Sequence, residues 1–355
     1  MEGERAMPVL VGRLRVRSLA VVVGALVAAT ALSASPASAD EPLFVPWSQL
    51  LPSFTTTYQP TSSNVCVSGA NSCVDAVIAE MEARVAPLDA ACNHNVMFGL
   101  MYLRTTEEYR RSALTPGFFT DPAFINHQDA GFAKQYFDAW DAYRAGDLAH
   151  TPLAWQIAFK AADQKKVAGL GNMLLGMSGH VNRDLPYILA AIGLVKPDGT
   201  SRKPDHDKVN QFLNVVMEPL LDEAAARFDP SVDDTQFDGT TIDETGMLQI
   251  LVGWREQAWR NAEALVNAPT PAARALVEAQ IERTAAIESA LIEVATSYSA
   301  VNVQATLSLL SSLGASPADT LQAQLDRTVN LLRGLLGSLF VNARVVRDNY
   351  CASHG

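Results

Sequence analysis

Apolar residues recur at three- and four-residue spacing through most of the chain from Val74 onward, the period of a helix with one buried face. No stretch alternates apolar and polar over the length a strand needs. Val74, Val77, Ile78, Met81 and Val85 open the pattern, and Pro87 is expected to interrupt it. A second helix is expected from about Asp89 to Ala113, closed by Pro116-Gly117. A start signal of the type Asp/Thr/Ser-Pro then appears four times, at Asp121-Pro122, Thr151-Pro152, Thr270-Pro271 and Ser316-Pro317. The first opens a helix with Phe124, Ile125, Phe132, Tyr136, Phe137 and Trp140 on one face, and Asp129 and Asp138 assigned to the other. A central helix is expected from about Gln164, kinked near Pro186 because proline frees the carbonyl of Asn182. Further helices are expected from Asp205 as cap, from Asp243 or Thr245, from Pro271 to about Ser297, over 302–313, and from Pro317 onward. The expected fold is all-α, a single multi-helix bundle with mostly antiparallel neighbours where loops are short.

The first residues break this pattern. Arg13, Arg15 and Arg17 precede an apolar run, Leu19–Leu32, and Ala37-Ser38-Ala39 fits the small-residue pattern of a cleavage site. Residues 1–39 are therefore expected to be a cleaved signal peptide on a secreted, extracytoplasmic protein. Residues 40–73 read as an irregular lead-in, 74–268 as a core helical domain and 269–355 as a helical extension packed on it. The whole chain carries a formal charge of −11, and the leader holds four of its 27 basic and two of its 38 acidic residues, leaving −13. No run of Lys and Arg survives beyond the leader, which argues against nucleic acid and anionic lipid surfaces as partners. No later apolar run is long enough to span a membrane. Four cysteines in an exported chain suggest two disulfides. Cys66 and Cys73 bracket a short polar loop and are paired here, leaving Cys92 with Cys351.

Only one segment places glycines, His180, Asn182, Arg183 and Asp184 inside an otherwise apolar helical pattern: Gly171–Leu185. His180 and Asp184 are four residues apart and leave the same helix face. An imidazole and a carboxylate so placed can share a metal ion such as zinc, form an acid/base unit, or make a buried polar clasp. His94 and His206 are the outside candidates for completing a metal site. Arg183, Arg255 and Arg104 lie in apolar helical segments and are read either as partners of buried carboxylates or as an anion clamp. Asn182, Trp155, Tyr136, Arg255 and Trp259 are the candidate ligand-lining residues. No G-x-S-x-G, Walker loop, dinucleotide fingerprint or zinc-cysteine spacing occurs.

The segment GMSGHVNRDLP (176–186) resembles an actinobacterial helical family known as domain of unknown function 5995. MYLRTTEEYR (101–110), FFTDPAFINHQDAGFAKQYFDAW (118–140), DHDKVNQFLN (205–214) and WREQAWRNAEAL (254–265) fit the same resemblance, which covers roughly residues 85–266. It implies an all-helical fold and no established activity. Locally, His180, Asp184 and the following proline also resemble a metal-binding segment of the zinc phospholipase C and P1-type nuclease group. That resemblance implies His180 and Asp184 as metal ligands, although the further histidines and the N-terminal tryptophan of that group have no counterparts here.

Two functions are therefore expected to compete. One is a metal-assisted hydrolase acting on a phosphoester or envelope lipid through His180 and Asp184, with Arg183 beside them. The other is a non-catalytic helical module that binds a small apolar molecule, a lipid or an envelope partner.

Overall fold

The computed structural model describes residues 66–232, 242–298 and 346–354. The expected signal peptide, most of the lead-in, and the helices expected over 302–313 and after Pro317 lie outside these residues. Nine α-helices occur among the described elements: α1 (Asn71–Ala90), α2 (Val96–Ala113), α3 (Pro122–Arg144), α4 (Leu153–Asp163), α5 (Gly169–Met177), α6 (Leu185–Ile192), α7 (Lys203–Arg227), α8 (Ile242–Asn267) and α9 (Pro271–Thr296). A π-helical turn, Ser178–Asp184, joins α5 to α6, and residues 346–354 form a further helical piece. Only two isolated bridge pairs, Val167 with Ser297 and Val195 with Ser201, interrupt the all-helical pattern of the described residues. No described helix is long and apolar enough to cross a membrane.

The start signals are realised unevenly. Asp121 caps α3 by accepting from the Phe124 N–H at 3.1 Å, and Thr270 caps α9 through the Ala273 N–H at 3.1 Å. Each satisfies one donor that the helix cannot. Thr151 does not cap α4; its hydroxyl donates to the Asp147 carbonyl at 2.8 Å. Asp205 does not open α7, which starts at Lys203 with Pro204 in its first turn. Its buried carboxylate instead accepts from the Thr120 N–H, the Thr120 hydroxyl and the Asp121 N–H, at 2.6–2.8 Å. The α3 entrance is thus held by an acid from α7. Pro87 is carried inside α1, in its last turn, rather than ending it. The break comes five residues later, at Cys92, with φ at 47°.

The rod formed by α5, the π turn and α6 lies at the centre. Helices α2, α3, α4, α8 and α9 all pack against it, while α1 and α7 reach it through α2, α3 and α8. The rod's glycines admit side chains rather than a backbone. The Phe98 ring lies where a Cβ on Gly176 would be, 2.2 Å from its position, and the Trp155 indole covers Gly179 at 3.1 Å. Aromatic groups from α2 and α4 therefore sit directly on the rod's backbone. Helix α9, assigned from the sequence to an extension, packs on α4, α5 and the π turn as an integral wall.

Both disulfides form as paired from the sequence: Cys66–Cys73, and Cys92–Cys351 across a sequence separation of 259. The second pins the 346–354 helix beside the start of α2. Tethering constrains the unfolded chain more as the closed loop lengthens. Denaturant titration of Cys351→Ser is expected to show a loss of stability larger than that of Cys73→Ser by about 3 kcal/mol. Equal losses would show that the long tether constrains little.

Candidate functional site

The π turn follows from the sequence around it. Pro186 has no N–H to offer the Asn182 carbonyl, and the backbone answers by widening: the Leu185 N–H bonds the His180 carbonyl, five residues back. The π turn falls where the kink near Pro186 is expected, and all of it is buried except Arg183.

Asp184 is completely buried. Its Oδ2 accepts from the Trp155 indole N–H at 2.9 Å and faces His180 Nδ1 at 3.1 Å, while Oδ1 accepts from Arg183 at 3.0 Å. A carboxylate can only accept, so His180 Nδ1 carries the proton and Nε2 holds the free lone pair. Desolvation lowers the His180 pKa, against the opposing pull of Asp184, and keeps the ring neutral. The imidazole stacks flat on Phe132 at 3.4 Å and meets the Tyr102 ring edge-on at 4.4 Å.

His180 borders a largely apolar cavity of about 100 Å³ enclosed by α2, α3, α5, the π turn, α7 and α8. Four polar atoms of its lining side chains have no hydrogen-bond partner among the described residues: His180 Nε2, the Tyr102 hydroxyl, Gln128 Oε1 and Asp129 Oδ2. Buried polar atoms are nearly always paired, so four such atoms around one space form a cluster that its own protein leaves unsatisfied. Burial, aided by the nearby Asp129 and Asp184, drives the Tyr102 phenol well above its usual range. Burial alone pushes the Asp129 carboxyl up to about 8. At neutral pH the cavity thus presents a neutral imidazole nitrogen, a phenol and a carboxylic acid. Met101, Thr105 and Val216 line it while remaining partly exposed, which puts the rim between α2 and α7.

Of the candidate site residues, His180 and Arg255 line this cavity, together with Ile125 and Phe132 from the expected apolar face of α3; Asn182, Arg183, Asp184, Trp155, Tyr136 and Trp259 do not. Arg183 is engaged by Asp184, by Glu282 at 2.9 Å and by Gln135 at 3.2 Å, and its guanidinium covers Tyr187. Asn182 turns toward Ser178 and the Glu288 carboxyl, which burial raises to about 7. Trp155 holds Asp184 and packs with Tyr136 at 5.3 Å behind the dyad. Trp259 donates to Glu263 at 3.1 Å and packs on His206.

The expected divalent metal is not supported. No group of three or more His, Cys, Asp or Glu among the described residues could hold an ion. His180 and Asp184 face each other, and the remaining Asp184 acceptor positions are taken by Trp155 and Arg183. His94 pairs instead with Asp348 at 3.1 Å, and His206 is buried against Arg255. The zinc reading of the His180–Asp184 spacing, and with it the likeness to the phospholipase and nuclease group, has no ligand set behind it.

Asp129, Tyr102 and Gln128 escaped the sequence reading. Asp129 was assigned to a polar face, yet it lies four residues after Ile125 and three before Phe132, positions that share the buried face of α3. That spacing was the available signal.

Residues 74–294 match the family of unknown function DUF5995. The chain belongs to that family. The match runs beyond the 85–266 read from motifs and takes in most of α1 and nearly all of α9, so the DUF5995 region includes every wall of the cavity. No curated protein and no solved structure matches the chain.

The raised Asp129 pKa has a defined consequence for stability. Between about pH 4 and pH 8 the folded chain retains a proton that the unfolded chain releases. Stability from this group is therefore complete at low pH, falls as pH rises and levels off above about 8. Asparagine removes the ionisation. Calorimetry is expected to show Asp129→Asn melting at least about 3 °C above wild type at pH 8.5, with the two proteins converging at pH 4. Parallel pH profiles would mean the carboxyl is solvated.

Proposed function

We propose that the cavity binds a small amphiphilic molecule, an apolar body with hydrogen-bonding groups, and that ligand binding is the activity of this helical fold. The supporting observation is the set of four unpartnered polar atoms gathered around one apolar space. An apolar core defect would be dry and lined by hydrocarbon; a space with convergent polar groups is the usual form of a ligand site. We also read the chain as exported. The basic, apolar and small-residue leader supports this, as do two disulfides, which persist in oxidising compartments.

Native mass spectrometry and solvent extraction of the purified protein test the binding reading. A co-purified small molecule, or saturable binding of small amphiphiles, is expected for wild type. Val216→Trp, which fills the rim, is expected to abolish it with the melting temperature held or raised. An empty protein that binds no amphiphile would remove the reading.

A second reading is favoured by one feature, the His180–Asp184 dyad. With Nδ1 bonded to a carboxylate and Nε2 free, His180 is oriented as a general base toward an acidic C–H or O–H of the occupant, with no metal required. Solvent deuterium exchange into a small ketone probe, followed by NMR, is expected to be accelerated by wild type and to fall roughly 100-fold in His180→Gln. Equal exchange in both proteins would leave binding alone.

A further inference from the structure

The three arginines noted in the apolar helices end in different electrical situations. Arg183 is paired with Asp184 and Glu282, and Arg104 with Glu107 and Glu223. Arg255, on α8, is buried and, among the described residues, has no carboxylate close enough for an ion pair, although Asp207 attracts its charge from farther away. Its Nε donates to Asn210 Oδ1 at 2.8 Å and one Nη to the His206 carbonyl at 2.7 Å, both neutral acceptors from α7. The same Nη lies 3.4 Å from His206 Nδ1, and these neutral contacts hold the guanidinium fixed without neutralising it, while no partner of its other Nη occurs among the described residues.

We infer that the occupant of the cavity is a small monocarboxylate, an apolar acid whose carboxylate is received by Arg255. The inference rests on the reading of the cavity as a ligand site and goes on to name the ligand's chemical class. Among the described residues, Arg255 is the one Lys or Arg lining the space. A buried cation without a counter-ion is costly, and removing such an imbalance by an incoming anion is strongly favourable. The guanidinium fork matches a carboxylate in shape and charge. A phosphate monoester would bring close to two negative charges to a single cation, which favours the carboxylate. Burial lowers the Arg255 pKa to about 10, so it stays charged at neutral pH. The other end of the space suits the rest of such a molecule. Phe98, Phe132, Met177 and Val181 form apolar walls, while the neutral Tyr102, Asp129 and His180 can bond a hydroxyl or carbonyl without repelling an anion. An engineered apolar cavity of about 150 Å³ admits benzene. A space of about 100 Å³ that opens at a rim therefore suits short branched or single-ring acids.

Matched pairs of probes test this by calorimetry and ligand-observed NMR on the full chain: benzoate against benzamide, isovalerate against isovaleramide, with phenyl phosphate as a third arm. Wild type is expected to bind each carboxylate at least tenfold more tightly than its amide. Arg255→Met is expected to lose that preference while still binding the amides. The wild-type comparison stands alone should Arg255→Met fail to fold. Equal affinity for acid and amide would overturn the monocarboxylate while leaving a ligand site in place. Preference for phenyl phosphate, or an acid preference that survives in a folded Arg255→Met, would do the same. Binding of no probe, together with an empty purified protein, would end both readings.

Discussion

A single buried carboxylate organises the interior. Asp184 lies at the end of the π turn and receives donors from three directions: an indole from α4, an imidazole from its own turn and a guanidinium that also reaches α3 and α9. A charge in this position is tolerable only while all three remain in place. The rod's glycines serve the same end, because Trp155 must lie close over Gly179 to bring its N–H to Asp184. Packing and polar satisfaction thus depend on each other, and both depend on the broad turn that Pro186 imposes on the backbone.

That arrangement has a chemical by-product. Engaging His180 through Nδ1 fixes the tautomer and leaves Nε2 as a lone pair facing no protein donor among the described residues. The same burial that neutralises the imidazole keeps Tyr102 and Asp129 protonated. The site is therefore rich in groups able to give or accept a proton yet carries little net charge on that side. Arg255, held on the α8 wall by neutral acceptors, is the exception. Among the described residues, this separation of a neutral polar end from a cationic wall makes the two ends of the cavity electrically different.

The buried polar groups away from the cavity show the contrast. Asp205 and Lys203 are buried and Arg183 half-buried, and all three are engaged by partners from other segments of the chain. They join elements that share no hydrophobic pattern, and the fold leaves them nothing to offer a ligand. Polar residues in this interior thus fall into two groups by satisfaction, which burial does not separate.

Periodicity alone was enough for the helical class, the approximate extent of the helices and the importance of the 171–185 segment, because a helix face is a local property with a period of 3.6 residues. The cysteine pairing was also accessible, since one pair closes a short loop and the other is what remains. Local sequence carried less about partners. His180 and Asp184 share a face by spacing, but whether a metal, a substrate or Trp155 and Arg183 occupies Asp184 depends on helices packed from elsewhere in the chain. Asp129 reads as solvent-facing because an acid in an aromatic helix normally is, as Asp138 and Asp141 are, and only the approach of α2 and the rod encloses its carboxyl. The three arginines look alike in sequence; contact with Glu223, Glu282 or merely Asn210 and His206 distinguishes them. Ionisation, pairing and cavity are properties of surroundings assembled from distant segments, and for that reason the tertiary structure alone decided them.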